Sequence, residues 1–373
     1  MKINSKFCFF GNISGALQGN TAGGGELQIA LLAKALALAG HQAVIIDPYA
    51  RESFVTPEGV RLINVPNWDG GLRGIRLFTN RIPLLYKLLK DQHADYYYIR
   101  MRSFLHIIPY IAARRNKARF IQAIAQDIDI VGIREQVRYE FSTNSNLARL
   151  FLVNLPSYLV SNFLLKRADF IFLQHSGQKN HSKNLKGKVS VFPNIIYIDE
   201  LNNDKLLSES YVIHVGTLTV FKGSENLYQL IEKLNSKLRV IIVGKPDDRE
   251  SVIISDKLKH SKNVTVKGSL DHVTTLNLIA NSTALINTSN YEGFPNIFLE
   301  AWSKGVPVIS LNVNPGNVIN EHGLGICCDG DIIKMKENIE SIEKNTFEAS
   351  NLISYVKEFH DFNTAVDRLL NII

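Results

Sequence analysis

Little in this chain supports a stapled or membrane-spanning fold. Among 373 residues there are three cysteines, Cys8, Cys327 and Cys328, with neither a paired framework nor metal-ligand spacing. They fit a reducing, cytoplasmic setting as small core or loop residues. No run is long and apolar enough to cross a bilayer. Met1–Phe10 opens with lysine and asparagine and its apolar part is only Phe7–Phe10, so no secretory leader is expected. No segment is low in complexity and nothing repeats at short period. Neither a Ser/His/Asp triad nor a His/Cys cluster can be traced, so no metal is expected. What is present is a chain 45% hydrophobic and near neutral in mean hydropathy, long enough for two domains with sizeable cores.

The net charge of +7 is unevenly spread. Residues 1–195 hold 25 Lys/Arg against 12 Asp/Glu, a balance of +13, whereas residues 196–373 hold 17 against 23, a balance of −6. A basic first half implies an anionic partner. No zinc-finger spacing, helix-turn-helix signature or aromatic RNP-like motif accompanies the charge, so nucleic acid is not expected. An anionic membrane or a lipid-linked phosphate suits it better. The segment Arg73–Lys90 interleaves Arg73, Arg76, Arg81, Lys87 and Lys90 with Ile75, Leu77, Phe78, Ile82, Leu84, Leu85, Tyr86, Leu88 and Leu89, and Pro83 can split it into two short helices. Such a segment either lies in a bilayer surface or covers a sheet with its basic face in water.

Both halves read as strand–loop–helix–strand. Phe7–Phe10 is a candidate buried strand, followed by a glycine-rich stretch from Gly11 to Gly25, an Ala/Leu-rich helix over Leu27–Ala39 ended by Gly40, and the strand Ala43–Ile46. Leu62–Val65, Tyr96–Ile99, Phe120–Ala123, Phe170–Leu173 and Val189–Phe192 continue the first half. Pro193-Asn194 closes it, and the polar run Asp199–Ser210 reads as the connection. The pattern restarts with Tyr211–Val215, Arg239–Val243, Val264–Val266, Ala284–Asn287 and Val306–Ile309, with a helix at Leu227–Leu234. Ligands of doubly wound sheets sit at the carboxyl ends of the strands. Two such domains facing across a cleft can hold a donor on one side and an acceptor on the other. A dinucleotide-binding reading is weak, because Gly11-Asn12-Ile13-Ser14-Gly15 lacks the third glycine at the required offset.

The stretch Asn290–Pro307 carries the most chemistry. Glu292 and Glu300 bracket Gly293-Phe294-Pro295, and a helix beginning near Pro295 leaves its first N–H groups free for an anion. Glu292 then sits in the loop before the helix and Glu300 in its second turn, one acceptor group on each side. That arrangement suits a sugar diphosphate. It is equally what a solvated turn and amphipathic helix would look like.

This run resembles the Glu-x7-Glu signature of the retaining family 4 glycosyltransferases. Gly23-Gly24-Gly25-Glu26 is similar to that family's acceptor-side glycine loop, Pro193-Asn194 to its interdomain turn, and Gly216 with Lys222-Gly223 to the start of its donor domain. Asn312–Gly325 resembles members that build bacterial surface polysaccharides and lipopolysaccharide. The resemblance implies an α/β GT-B fold: an acceptor-binding domain over residues 1–195, a nucleotide-sugar-binding domain over 196–361, and a C-terminal helix, 362–373, crossing back to the first domain. It implies a retaining hexosyltransferase that moves a sugar from a UDP- or GDP-linked donor to a hydroxyl of a glycan or lipid-linked acceptor, without a protein nucleophile or a cofactor, in the cytoplasm or at the inner face of the membrane. A basic nucleic-acid- or membrane-binding protein on the same scaffold, without transferase activity, is the alternative.

The resemblance also assigns roles. Lys222 would neutralise the diphosphate, in binding and as charge builds on the leaving group. Glu292 would accept from hydroxyls of the transferred sugar beside the Gly293–Phe294 backbone, and Glu300 from the ribose hydroxyls. Gly216 and Gly244 would line the phosphates. Ser269 and Leu270, after Gly268, would meet the base. The family has an arginine where this chain has Thr217, so Lys222 carries more of the load or Lys245 assists. Gly24 and Gly25 would let the backbone approach the acceptor. The family's N-domain histidine is absent after Phe120–Ala123. Gln126, Asp127 and Asp129 are the polar candidates there, and Asp127 is favoured. Asp127-Ile128-Asp129 invites a manganese reading, which nothing further supports. His175 reads as a structural or acceptor-edge residue.

Overall fold

The computed structural model describes residues 4–19, 23–143, 149–198, 210–342 and 347–373. The expected connection Asp199–Ser210 lies, apart from Ser210, outside the described residues. The chain divides into two compact units, one of residues 1–195 with 362–373 and one of residues 196–361.

The first unit is built on eight strands: β1 (Lys6–Phe10), β2 (Gln42–Asp47), β3 (Phe54–Val55), β4 (Arg61–Asn64), β5 (Tyr96–Ile99), β6 (Arg119–Ala123), β7 (Phe170–Leu173) and β8 (Lys188–Val191). They lie in the order β3-β4-β2-β1-β5-β6-β7-β8, parallel except for the β3–β4 pair. Helices cover both faces, so the central strands are apolar throughout; Phe7, Cys8, Phe9 and Phe10 are all buried. The helix Gly24–Leu38 begins three residues earlier than its Ala/Leu run predicts, because Gly24 and Gly25 form its first turn. It ends in a Schellman turn, with the His41 N–H donating to the Leu36 carbonyl at 2.9 Å and Gly40 at φ +82°. The last helix, Ala365–Ile372, buries Ala365, Val366 and Leu369 in the same apolar cluster as Ile29, Leu32 and Leu36.

On the opposite sheet face, the helices Ile82–Lys90, Ile107–Arg115 and Leu155–Leu165 share a second cluster, to which they contribute Leu85, Leu89, Ile108, Ala112, Leu164 and Leu165. Pro83 does not split Arg73–Lys90. A π-helical turn, Leu77–Arg81, runs directly into the helix, and Pro83 occupies its first turn, where the missing N–H costs little.

The second unit carries β9 (Tyr211–Val215), β10 (Arg239–Val243), β11 (Val264–Gly268), β12 (Ala284–Asn287), β13 (Val308–Ser310) and β14 (Gly325–Cys327), in the order β11-β10-β9-β12-β13-β14 and parallel throughout. The predicted strand Val306–Ile309 is shifted to Val308–Ser310, after Pro307. The winding runs outward from β9 in one direction and from β12 in the other. A topological switch point therefore lies between β9 and β12, the place where open α/β sheets bind ligands.

Candidate active site

In the second unit the carboxyl ends of β9, β10, β11 and β12 are adjacent, and every candidate residue of this half follows one of them. After β9 come Gly216, Thr217 and the turn to Lys222; after β10, Gly244 and Lys245; after β11, Ser269 and Leu270; after β12, the loop to Glu292 and the helix Asn296–Ser303. Backbone contacts tie these loops together. The Gly216 N–H donates to Val243 O (2.9 Å) and the Gly244 N–H to Gly268 O (2.8 Å). A Cβ on Gly244 would run into the Gly216 carbonyl. The β9 loop is pinned against β12 in the same way. Gly223 sits at φ +70° and any Cβ there would strike the Thr288 carbonyl, so only glycine fits.

That pinning brings Lys222 to Glu292 across the switch point. The Lys222 ammonium lies 2.7 Å from Glu292 Oε2, with the carboxylate 14% exposed. The other oxygen, Oε1, accepts from Ser289 Oγ at 2.7 Å. Asn226 stitches the two loops by donating to Thr288 O (3.2 Å) and Asn290 Oδ1 (2.9 Å). Neither Ser289 nor Asn226 stands out in the sequence; their nearness to the Glu292 and Gly223 motifs is the one signal there that could have marked them. Glu300 is the fifth residue of its helix, and its Oε1 lies 3.4 Å from His272 Nε2, which begins the helix after β11. Thr217, Lys245 and Ser269 are exposed, and Leu270 is partly buried against the apolar core. The Phe294 ring is buried against Trp302 and His360, so only its backbone is available to a ligand.

His214, in β9 two residues before Gly216, was not anticipated. It is buried, and burial lowers its pKa to about 4, with the Ile286 carbonyl and Glu292 opposing and Lys222 reinforcing that fall. The ring is therefore neutral behind the Lys222–Glu292 pair. Between about pH 6.5 and pH 4 the unfolded chain takes up a proton at this position and the folded chain does not, so stability falls as pH falls through that window, by about 1.4 kcal/mol per pH unit. Thermal unfolding followed from pH 7 to 4.5 is expected to include this slope, and His214→Phe is expected to make the pH dependence shallower by that amount. Equal slopes for both proteins would contradict the assignment. His106 in the first unit, whose pKa burial takes down to about 3, contributes in the same direction and is unaffected by that substitution.

In the first unit the switch point lies between β1 and β5. Asp47 Oδ2 holds the loop after β1 by accepting from the N–H groups of Ile13 and Ser14, both at 2.8 Å. Gly24 is exposed at the start of its helix; a Cβ on Gly25 would sit 2.7 Å from the Met101 side chain, which follows β5. Asp127 and Asp129 occupy a short 3-10 turn after β6 and point to different partners. Asp129 is buried and pairs with Arg102 at 2.8 Å, while accepting from the N–H groups of Ala125 and Gln126; burial pushes its carboxyl up, against Arg102. Asp127 is half-exposed and its Oδ1 meets His175 Nε2 (2.9 Å) and Gln178 Nε2 (2.7 Å). His175, read from the sequence as a structural or acceptor-edge residue, thus reaches Asp127 from the next strand, β7. Among the described residues no three His, Cys, Asp or Glu side chains converge as a metal site.

Residues 199–359 match the family model described as glycosyl transferases group 1. That match spans nearly the whole second unit. A curated relative, the capsular polysaccharide biosynthesis glycosyltransferase CapM of Staphylococcus aureus, is 30% identical over 147 residues, 37% of this chain and 38% of that protein. The chain's matches span 43% and 38% of the lengths of the first curated relatives. Among solved structures, sucrose-phosphate synthase from Thermosynechococcus elongatus superposes with a TM-score of 0.77 at 15% identity, over 99% of this chain and 98% of that one. Anabaena HepE in complex with UDP-glucose gives 0.67 at 15% identity, over 99% and 100%. The glycosyltransferase resemblance is borne out at the level of group 1 over residues 199–359, and the fold is GT-B, two Rossmann-like α/β domains.

Proposed function

We propose that this protein is a retaining glycosyltransferase that takes a hexose from a nucleotide sugar, UDP- or GDP-linked, and adds it to a hydroxyl of a glycan or lipid-linked acceptor in the synthesis of a bacterial surface polysaccharide. The observation that carries the reading is the Lys222–Glu292 pair across the β9/β12 switch point, inside the stretch that matches glycosyl transferases group 1. A cation and a carboxylate there match the two ends of a sugar diphosphate. Lys222 faces the phosphates, Glu292 the sugar hydroxyls and Glu300 the ribose. CapM, a capsular polysaccharide enzyme, supports the product class, and HepE, which holds UDP-glucose, supports a nucleotide-sugar donor.

Mechanistically, the domain has to position two substrates and stabilise the departing diphosphate. The diphosphate leaves on the face from which the acceptor hydroxyl attacks, and its oxygen takes the acceptor's proton, so configuration is kept. In the first unit, Asp127, oriented by His175 and Gln178, is assigned to the hydroxyls near the reacting sugar.

Purified protein incubated with a panel of UDP- and GDP-sugars and candidate acceptors is expected to release nucleoside diphosphate with one donor class. No release from any donor, with or without acceptor, would overturn the reading. We further propose that no metal or other cofactor takes part, since Asp127 and Asp129 are turned to separate partners. Activity is expected to persist in EDTA; loss restored by manganese or magnesium would contradict this.

A further inference from the structure

Arg73–Lys90 reads in the sequence as either a bilayer-surface segment or a cover for the sheet, and in the structure its Ile75 and Phe78 are exposed, as is the preceding Leu72. A second and larger feature stands on the other side of the same helical layer. Residues 149–167, read Arg-Leu-Phe-Leu-Val-Asn-Leu-Pro-Ser-Tyr-Leu-Val-Ser-Asn-Phe-Leu-Leu-Lys-Arg, contain no carboxylate. Their helices bury Leu150, Tyr158, Leu164 and Leu165 but leave Phe151, Leu152, Val153, Leu159 and Phe163 in solvent, with Leu152 75% and Leu159 53% exposed. Leu152, Leu159 and Phe163 fall seven and four residues apart, on one stripe.

This stripe ends at an open basic recess. Lys166 and Arg167 directly follow the helix and, with Arg119, Lys186 and Lys188, line a recess of about 450 Å³ around Asp169, at the amino ends of β6, β7 and β8. Asp169 does not balance these cations on its own. It already accepts from Arg114 (2.9 Å), Arg119 (3.2 Å) and the Phe120 N–H (2.8 Å). The link between stripe and recess is direct, since the Arg167 guanidinium stacks 3.9 Å over the Phe163 ring. Lys188 is tied to the Ile372 carbonyl, which leaves Lys166 and Lys186 as the cations with the most reach.

We propose that this recess binds the phosphate headgroup of an anionic phospholipid while the Leu152–Leu159–Phe163 stripe enters the bilayer surface beside it. Cations alone would serve nucleic acid or free phosphate as well. Exposed leucine and phenylalanine contiguous with them gain from an apolar cover, which neither free phosphate nor nucleic acid supplies and an anionic bilayer supplies beside its phosphates. The proposal concerns the first unit and stands whether or not the transferase reading does.

Sedimentation of the whole protein with vesicles of phosphatidylglycerol and phosphatidylcholine tests it. Wild type is expected to co-sediment, and to be released by salt. Lys166→Gln with Lys186→Gln is expected to weaken binding on the order of thirtyfold, from the loss of two cations at the surface. Leu152→Gln with Leu159→Gln is expected to weaken it at least tenfold. All four side chains lie at the surface, and unchanged circular dichroism and nucleoside diphosphate binding check that the variants fold. Equal binding to purely zwitterionic vesicles would overturn the proposal, as would binding lost only with Arg73→Glu and Arg76→Glu. Release of the protein from vesicles by millimolar inorganic phosphate would make the recess a site for free anions and overturn the bilayer as its source. Undiminished retention on DNA by the Leu152/Leu159 variant, without vesicle binding by wild type, would do the same in favour of nucleic acid.

Discussion

Lys222→Ala is expected to lower kcat/KM for sugar transfer by about two to three orders of magnitude, the range seen when one preorganised group facing a developing charge is removed. The ammonium is held where it can act: Gly223 fixes the backbone against Thr288, and the Lys222 N–H donates to Thr219 Oγ1 at 3.0 Å. Thr217 stands where an arginine would share the load, so no second cation follows the strand directly. Truncation also strips Glu292 of its ion partner, leaving a largely buried carboxylate with Ser289 alone. Steady-state kinetics beside circular dichroism measure the effect. A loss below about threefold with the fold intact would show that Lys222 does not meet the leaving group.

Glu292→Gln is expected to act on the two halves of the donor in opposite directions. Transfer should fall by about 100-fold, because an amide is a poorer acceptor for the sugar hydroxyls than a carboxylate. Binding of nucleoside diphosphate without sugar should tighten, by roughly two- to fivefold, because the phosphates no longer compete with Glu292 for Lys222. Lys222 and Glu292, proposed above for the phosphates and the sugar, pair with each other at 2.7 Å. A nucleotide sugar has to separate them, supplying to each the partner it loses. Weaker nucleoside diphosphate binding in this variant would mean that the carboxylate supports the phosphate site instead of competing for it.

The sheet was legible in the sequence because parallel strands buried on both faces are short apolar runs bounded by glycine, proline or polar residues. Tyr96–Ile99, Phe170–Leu173, Tyr211–Val215, Arg239–Val243 and Ala284–Asn287 could be read to the residue for that reason. The edge strands β3 and β14 could not: Phe54–Val55 and Gly325–Cys327 are too short to carry a period. The start of the Gly24–Leu38 helix was obscured by Gly24 and Gly25, poor helix formers that tertiary packing places in the first turn. At the site, the family resemblance of the motifs marked Lys222, Glu292 and Glu300. It could not show that Lys222 and Glu292 touch, since they lie seventy positions apart and meet only through strand order. The same holds for His175 and Asp127, contributed by neighbouring strands, and for His214, whose apolar surroundings make a buried histidine look like any other strand residue.

The central claim, that Lys222 and Glu300 frame a nucleotide site at the carboxyl edge of the second sheet, is tested most directly by isothermal titration of nucleoside diphosphate into wild type, Lys222→Ala and Glu300→Ala. Wild type is expected to bind, and each variant to bind at least tenfold more weakly while its unfolding transition is retained. Binding of equal strength to all three proteins would contradict the account.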